Sequence, residues 1–142
     1  MLSEQRVGEF LAALGARTPA PASGSAAALT GALAAALAEL AGRFAGDGDA
    51  VERVQELGTR LVGLADEDAA AYTAFMAGRN EETRAAIVRV PEEIAAAADE
   101  VVAIAESLRV LLPQSVAGDA GAAATLARAA AQVARQLVQV NL

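Results

Sequence analysis

The chain has 142 residues, a formal net charge of −7, no Cys, no His and no Lys, so all 11 of its basic residues are arginine. Disulfides, the usual zinc sites, thiol and imidazole chemistry and Schiff-base catalysis are thereby excluded, and the acidic balance argues against nucleic acid or an acidic membrane surface as partner. Forty alanines, four prolines and no β-branched run predict an all-α protein, a single domain over residues 1–142.

In chain order, MLSEQRVGEF is polar from Ser3 and lacks a signal-peptide pattern, which points to the cytoplasm. Ser3 suits an N-cap, and Val7, Phe10, Leu11 and Leu14 follow at helical spacing as far as Gly15, a short amphipathic helix that should lie against a central one. That central stretch runs from Pro19 to Phe44, a proline turn leading into a helix with almost no polar face. Between Ala26 and Ala38 only Thr30 has a hydrogen-bonding side chain, while Leu29, Leu33, Leu37, Leu40 and Phe44 recur at helical spacing. Ala27, Gly31 and Ala35 form one small-residue column and Ala28, Ala32 and Ala36 another, which lets neighbouring backbones approach closely. A helix apolar nearly all round belongs at the centre. Its apolar run is shorter than the roughly 20 residues of a bilayer span, so it reads as a buried soluble helix.

Gly46-Asp47-Gly48 ends it, and Asp49 with Glu52 forms a capping box opening a long helix to about Ala77. The stripe of that helix is Val54, Leu57, Leu61, Leu64, Asp68, Tyr72 and Phe75, so an acid has taken a core position. Gly78-Arg79-Asn80 marks a bend, Glu81 to Arg89 gives a further turn or two, and Pro91 opens the next helix, which carries Ile94, Ala98, Val101, Ala105, Leu108 and Leu112 and stops at Pro113. The last helix starts at Asp119 and presents Leu126, Ala130, Val133, Leu137 and Val140. Short connections make this an antiparallel helical bundle around a buried Ala/Gly-rich central helix. With 55% hydrophobic residues, the chain has more apolar stripe than it can bury alone, which predicts a homodimer.

The residues left to carry chemistry are few. An ionised Asp68 on a core stripe is costly unless something binds it, either an arginine or a substrate. Ser23 and Ser25 flank Gly24 at the start of the central helix, where they serve as N-caps or hold an anion on the free N–H groups. Asp119, at the start of the last helix, is in the ordinary place for an N-cap, and Asn141 near the end reads as surface.

Four segments together resemble the cyclodeaminase/cyclohydrolase family of tetrahydrofolate enzymes: the Pro19–Ser25 turn with its alanine-rich helix, DEDAAAYTAFMAG from Asp66, RVPEEIA from Arg89, and GDAGAAATLARAA through VNL. The resemblance implies one of two reactions. These are ring closure of formiminotetrahydrofolate with loss of ammonia (a lyase), and hydrolysis of methenyltetrahydrofolate (a hydrolase). It implies carboxylate acid–base chemistry without metal or cofactor, with Asp68 and Asp119 as catalytic residues. Pro21, Ser23, Gly24, Ser25, Tyr72 and Asn141 would bind the folate, whose glutamate carboxylates are expected near Gly24 and Ser25. This chain has Gly118 where the family has Ser, and Pro113-Gln114-Ser115 where an Asn-rich turn is expected. A second reading therefore stays open, a non-catalytic helical dimer or small-anion-binding protein on the same scaffold.

Overall fold

The computed structural model describes all residues 1–142 and is helical throughout. A short 3-10 turn, Leu2–Glu4, precedes α1 (Val7–Gly15), α2 (Ser23–Ala45), α3 (Gly48–Ala77), α4 (Glu81–Arg109) and α5 (Gln114–Asn141). The four long helices form the bundle. α2 packs against α3, α4 and α5, and α4 against α2, α3 and α5, so these two make the short diagonal of the bundle.

The core is lined largely by alanine. α2 buries Gly24, Ser25, Ala27, Ala28, Gly31, Ala34, Ala35, Ala38, Ala41 and Gly42, which includes the whole Ala27–Gly31–Ala35 column. At Gly31 a Cβ would come within 3.2 Å of the Leu61 side chain, so the missing side chain sets how closely α2 and α3 approach. The leucines of α2 lie on its other face. Leu33 is 63% exposed and Phe44 62%, with Leu40 also exposed and Leu29 and Leu37 only half-buried. The expectation of a helix buried all round is thus corrected: small residues allow the tight contact, and the larger ones are turned outward. α5 behaves the same way, burying Ala120, Ala123, Ala124, Ala127, Ala130, Ala131 and Ala134 while Leu126 and Val140 are exposed. By length and composition α2 could cross a membrane, but half of its most apolar window is buried in the bundle.

Several boundaries differ from the sequence reading. α1 does not lie against α2, since none of its residues is buried and both Val7 and Leu11 are exposed. Ser3 belongs to the 3-10 turn, and α1 has no side-chain cap. α2 ends at Gly46 in the left-handed conformation, φ 69°, with the Gly46 and Asp47 N–H groups returning to the last turn. Asp47, not Asp49, caps α3, its carboxylate accepting from the Ala50 N–H at 3.0 Å. Asn80 caps α4 in a reciprocal box with Thr83. Pro113 precedes α5, which starts at Gln114, five residues earlier than Asp119.

The largest departure is at Pro91, which lies inside a continuous α4 and does not open it. A helical proline has no N–H for the carbonyl four residues back, here Ile87. That carbonyl is taken by another donor: the Asn141 Nδ2 of α5 reaches the Ile87 oxygen at 2.9 Å. Asn141 is therefore an anchor between α4 and α5 and not free surface. Asn141→Ala should cost about 1–3 kcal/mol, the usual price of an unpaired buried carbonyl. In a Pro91→Ala background the residue-91 N–H can itself reach Ile87, so the same substitution should cost less. Urea unfolding of the four proteins of this double-mutant cycle checks the coupling, and strict additivity would mean the two residues are independent.

Candidate active site

The Leu61–Leu64 stripe of α3 continues into Asp68, whose carboxylate meets the first turn of α2. The contact is close enough that a Cβ built on Gly24 would overlap the Asp68 carboxylate. Glycine is required here by space and not by backbone angle. The N–H of Ser25 is directed at the carboxylate as well, so Asp68 supplies the negative group that the N-terminus of α2 lacks in its own sequence. Beneath it, the Ser25 hydroxyl is fully buried and donates to the Ala65 carbonyl at 2.7 Å, tying α2 to α3.

One sequence expectation is corrected by this arrangement. Neither serine is an N-cap, since Ala22 holds the cap position without a side-chain bond. At the head of α2, where a folate carboxylate is expected from the sequence, the Asp68 side chain lies against Gly24.

Asp68 has no arginine partner. Eight of the 11 arginines are in ion pairs with carboxylates, and Asp68 belongs to none of those pairs. Burial pushes its pKa up to about 6, with the Ser25 N–H acting in the opposite direction. Its neighbours are accounted for otherwise: Asp66 accepts from the Leu2 N–H at 2.8 Å, and Glu67 pairs with Arg60 and Arg89.

The carboxylate lines a cavity of about 220 Å³ between the α1–α2 connection and the adjoining ends of α3, α4 and α5. Ser23, Gly24, Asp68, Tyr72 and Asn141 are brought together there. Ser23 makes no side-chain hydrogen bond within the chain. Pro21 lies between two lining residues, Ala20 and Ala22, after a cis Ala20–Pro21 peptide. Ser25 is buried behind the wall. Asp119 is not part of this cavity. It sits in the second turn of α5, next to Ala120, which packs with Ala41 and Leu108 at the opposite end of the bundle. From Asp119 to Asn141 the helix rises about 33 Å.

The apolar walls were not foreseen: Pro19, Ala20 and Ala22 from the connection, Ile87 from α4, and Leu137 and Val140 from α5. Ile87 was detectable in principle, being four residues before a helical proline. A wider groove of about 520 Å³ between α2 and α3 has Glu39 as its one ionisable lining residue. Glu39 is already bonded to Arg43 and Gln55.

The sequence model of the formiminotransferase-cyclodeaminase family matches residues 6–142. Among solved structures, the crystal structure of formiminotetrahydrofolate cyclodeaminase from Thermotoga maritima is similar with a TM-score of 0.92 at 25% identity, over 99% of this chain and 80% of that one. None of the curated proteins compared matches the chain. The family match spans nearly the whole bundle and every residue of the Asp68 cavity, and on that ground the chain belongs to the formiminotransferase-cyclodeaminase family.

Proposed function

We propose that this protein is a folate one-carbon enzyme that closes formiminotetrahydrofolate to the methenyl form, with Asp68 as the proton-transferring group. One observation carries the reading: Asp68 is a half-buried carboxylate without a cationic partner, facing a cavity. Such a group is costly until a cation comes beside it. The protonated formimino group and the methenyl bridge are both cations.

The chemistry needs one proton relay. N10 attacks the formimino carbon and the C–N10 bond forms, leaving a proton on N10 that Asp68 accepts. Asp68 returns that proton to the exocyclic nitrogen, the C–N bond to it breaks, and ammonia leaves. Charge is conserved, since a protonated amidine becomes a methenyl cation. A carboxyl with a pKa of about 6 is ionised enough at neutral pH to take the proton and acidic enough to give it back. Tyr72 and the apolar walls would hold the pterin, and Ser23 offers a free hydroxyl at the rim. Hydrolysis of the methenyl form, the cyclohydrolase reaction, would use the same carboxylate to activate water. Asp119 has no role in this scheme within one chain.

Self-association belongs to the same proposal. The outward face of α2, with Leu33, Leu40 and Phe44, and the Val7 and Leu11 side chains of α1 have no cover from their own chain. The α1–α2 connection also lines the cavity, so a second copy covering these faces would steady one wall of the site. The protein should sediment as a dimer at micromolar concentration. Leu33→Asp with Leu40→Asp should yield a helical monomer, and a wild-type monomer would remove this part of the proposal.

Asp68→Asn should abolish turnover, followed by the near-ultraviolet absorbance of the methenyl product, with helicity retained. The stability consequence has a definite sign. The folded pKa is raised from 3.8 to about 6, so folding favours the protonated form and wild-type stability falls as pH rises through about 6. Asp68→Asn should therefore melt higher than wild type at pH 7, with the difference shrinking towards pH 4. A non-catalytic scaffold would show the melting difference but no wild-type turnover.

Gly24→Ala should push the Asp68 carboxylate out of place. It should lose activity as fully as Asp68→Asn does while the bundle stays helical by circular dichroism. Normal turnover in Gly24→Ala would show that the contact with α2 is not needed for catalysis.

A further inference from the structure

Pro91 is fully buried inside α4, and the carbonyl that its ring leaves without a helical donor belongs to Ile87, a residue that lines the Asp68 cavity. The group that takes the Ile87 oxygen instead, the Asn141 Nδ2 at 2.9 Å, is on a residue that lines the same cavity. Pro91 itself is not part of the lining.

This contact decides which end of the Asn141 amide is free. Ile87 presents a carbonyl, so only the amide nitrogen can face it, and the Oδ1 is the end left over. That oxygen accepts no hydrogen bond within the chain and is not sealed from solvent. With an N–H at position 91 the Ile87 oxygen would be satisfied inside α4, and the Asn141 amide could turn to offer nitrogen or oxygen alike. Proline removes that freedom and reserves one end of an ambivalent side chain as an acceptor.

The cavity suits such an acceptor. Its lining has no cationic side chain, the Asp68 carboxylate accepts, and the hydroxyls of Ser23 and Tyr72 can donate or accept. A ligand rich in N–H donors is complementary to this set. The pyrimidine edge of a reduced pterin, with its amino group and ring N–H, is one.

We propose that Pro91 is a positioning residue of the site: by withholding an N–H from Ile87 it fixes the Asn141 amide, so that Oδ1 accepts from the N–H groups of the substrate's pterin. This rests on the folate reading above and adds to it a residue that acts only through Asn141. An acceptor that meets the pterin, away from the reacting carbon, holds ground state and transition state alike, so the effect falls on KM and not on kcat.

The test compares wild type, P91A and P91A/N141L in the closure of formiminotetrahydrofolate and in calorimetric titration with 5-formyltetrahydrofolate. P91A should melt at or above wild type, since alanine restores the helical bond. It should nevertheless raise KM and the dissociation constant about three- to ten-fold, as for the loss of one neutral hydrogen bond, with kcat little changed. P91A/N141L, which has no amide to turn, should have a KM at least as high as that of P91A. By NMR, the Asn141 side-chain amide protons should exchange with solvent more slowly in wild type than in P91A. A proline with a structural role alone gives a different combination, raised stability with unchanged KM in both variants. That result, or a P91A protein that melts below wild type, would overturn this inference and leave the folate reading standing. A wild type that neither closes formiminotetrahydrofolate nor binds 5-formyltetrahydrofolate would overturn both.

Discussion

The contact of the Asp68 carboxylate with the first turn of α2 is the constraint on which the rest of the site depends. Helix N-termini attract negative groups, and many helices satisfy their first N–H groups with a side-chain acceptor from the residue just before them. α2 begins after a proline turn with Ala22 at the cap position, so its negative group comes from α3 instead. That arrangement needs Gly24, because any side chain there would fill the space of the carboxylate. It also needs α2 and α3 close together, which the buried Ser25 hydroxyl bond and the bare backbone at Gly31 provide. The charge is held by dipoles and not by a counter-ion, so it is fixed in position yet not neutralised.

Close packing by alanine has a consequence elsewhere in the molecule. Each buried alanine removes less apolar surface from water than a leucine would, at roughly 25 cal/mol per Å² of apolar area buried. The chain gains proximity of its helices at the expense of burial per residue. Its larger side chains, Leu33, Leu40 and Phe44 on α2 and Leu126 on α5, are left at the surface. The same choice that sets the geometry of Asp68 thus leaves apolar area for a partner to cover.

The helices were legible because composition and punctuation agree. Gly46, Asp47 and Gly48 end one element, Gly78 to Asn80 another, and the α3 stripe from Val54 to Leu64 is buried as its spacing predicts. Asp68 was legible as an acid on that stripe. What could not be read was which face of an all-apolar helix turns inward. In α2 the leucines and the alanines each have helical periodicity, and only the close approach of α3 decides between them. Local signals failed where a distant residue substitutes for them. Ser23 and Ser25 look like caps, but Asp68 lies 43 to 45 positions further along the chain and takes that role. Pro91 looks like a helix start because nothing nearby satisfies the carbonyl behind it.

Asn141 is what makes Pro91 tolerable, and it ties α5 to α4 along one wall of the cavity. Ile87 stands on α4 with its carbonyl released by the proline, and Leu137, Val140 and Asn141 stand on the last turns of α5. The single bond from Asn141 to the Ile87 oxygen fixes the end of α5 where it would otherwise fray, since the last carbonyls of a helix have no partners of their own. Opposite, Asp68 and the Ser25 hydroxyl join α3 to α2. The cavity is thus bounded by two helix pairs, each closed by a polar contact at its mouth, while the apolar contacts that hold the bundle lie deeper. A substitution at either contact can therefore alter the shape of the site with little effect on the core beneath it. The converse holds for the alanines around Ala98 and Ala130, which pack α4 against α5 away from the cavity, where a change would disturb the bundle before it reached Asp68.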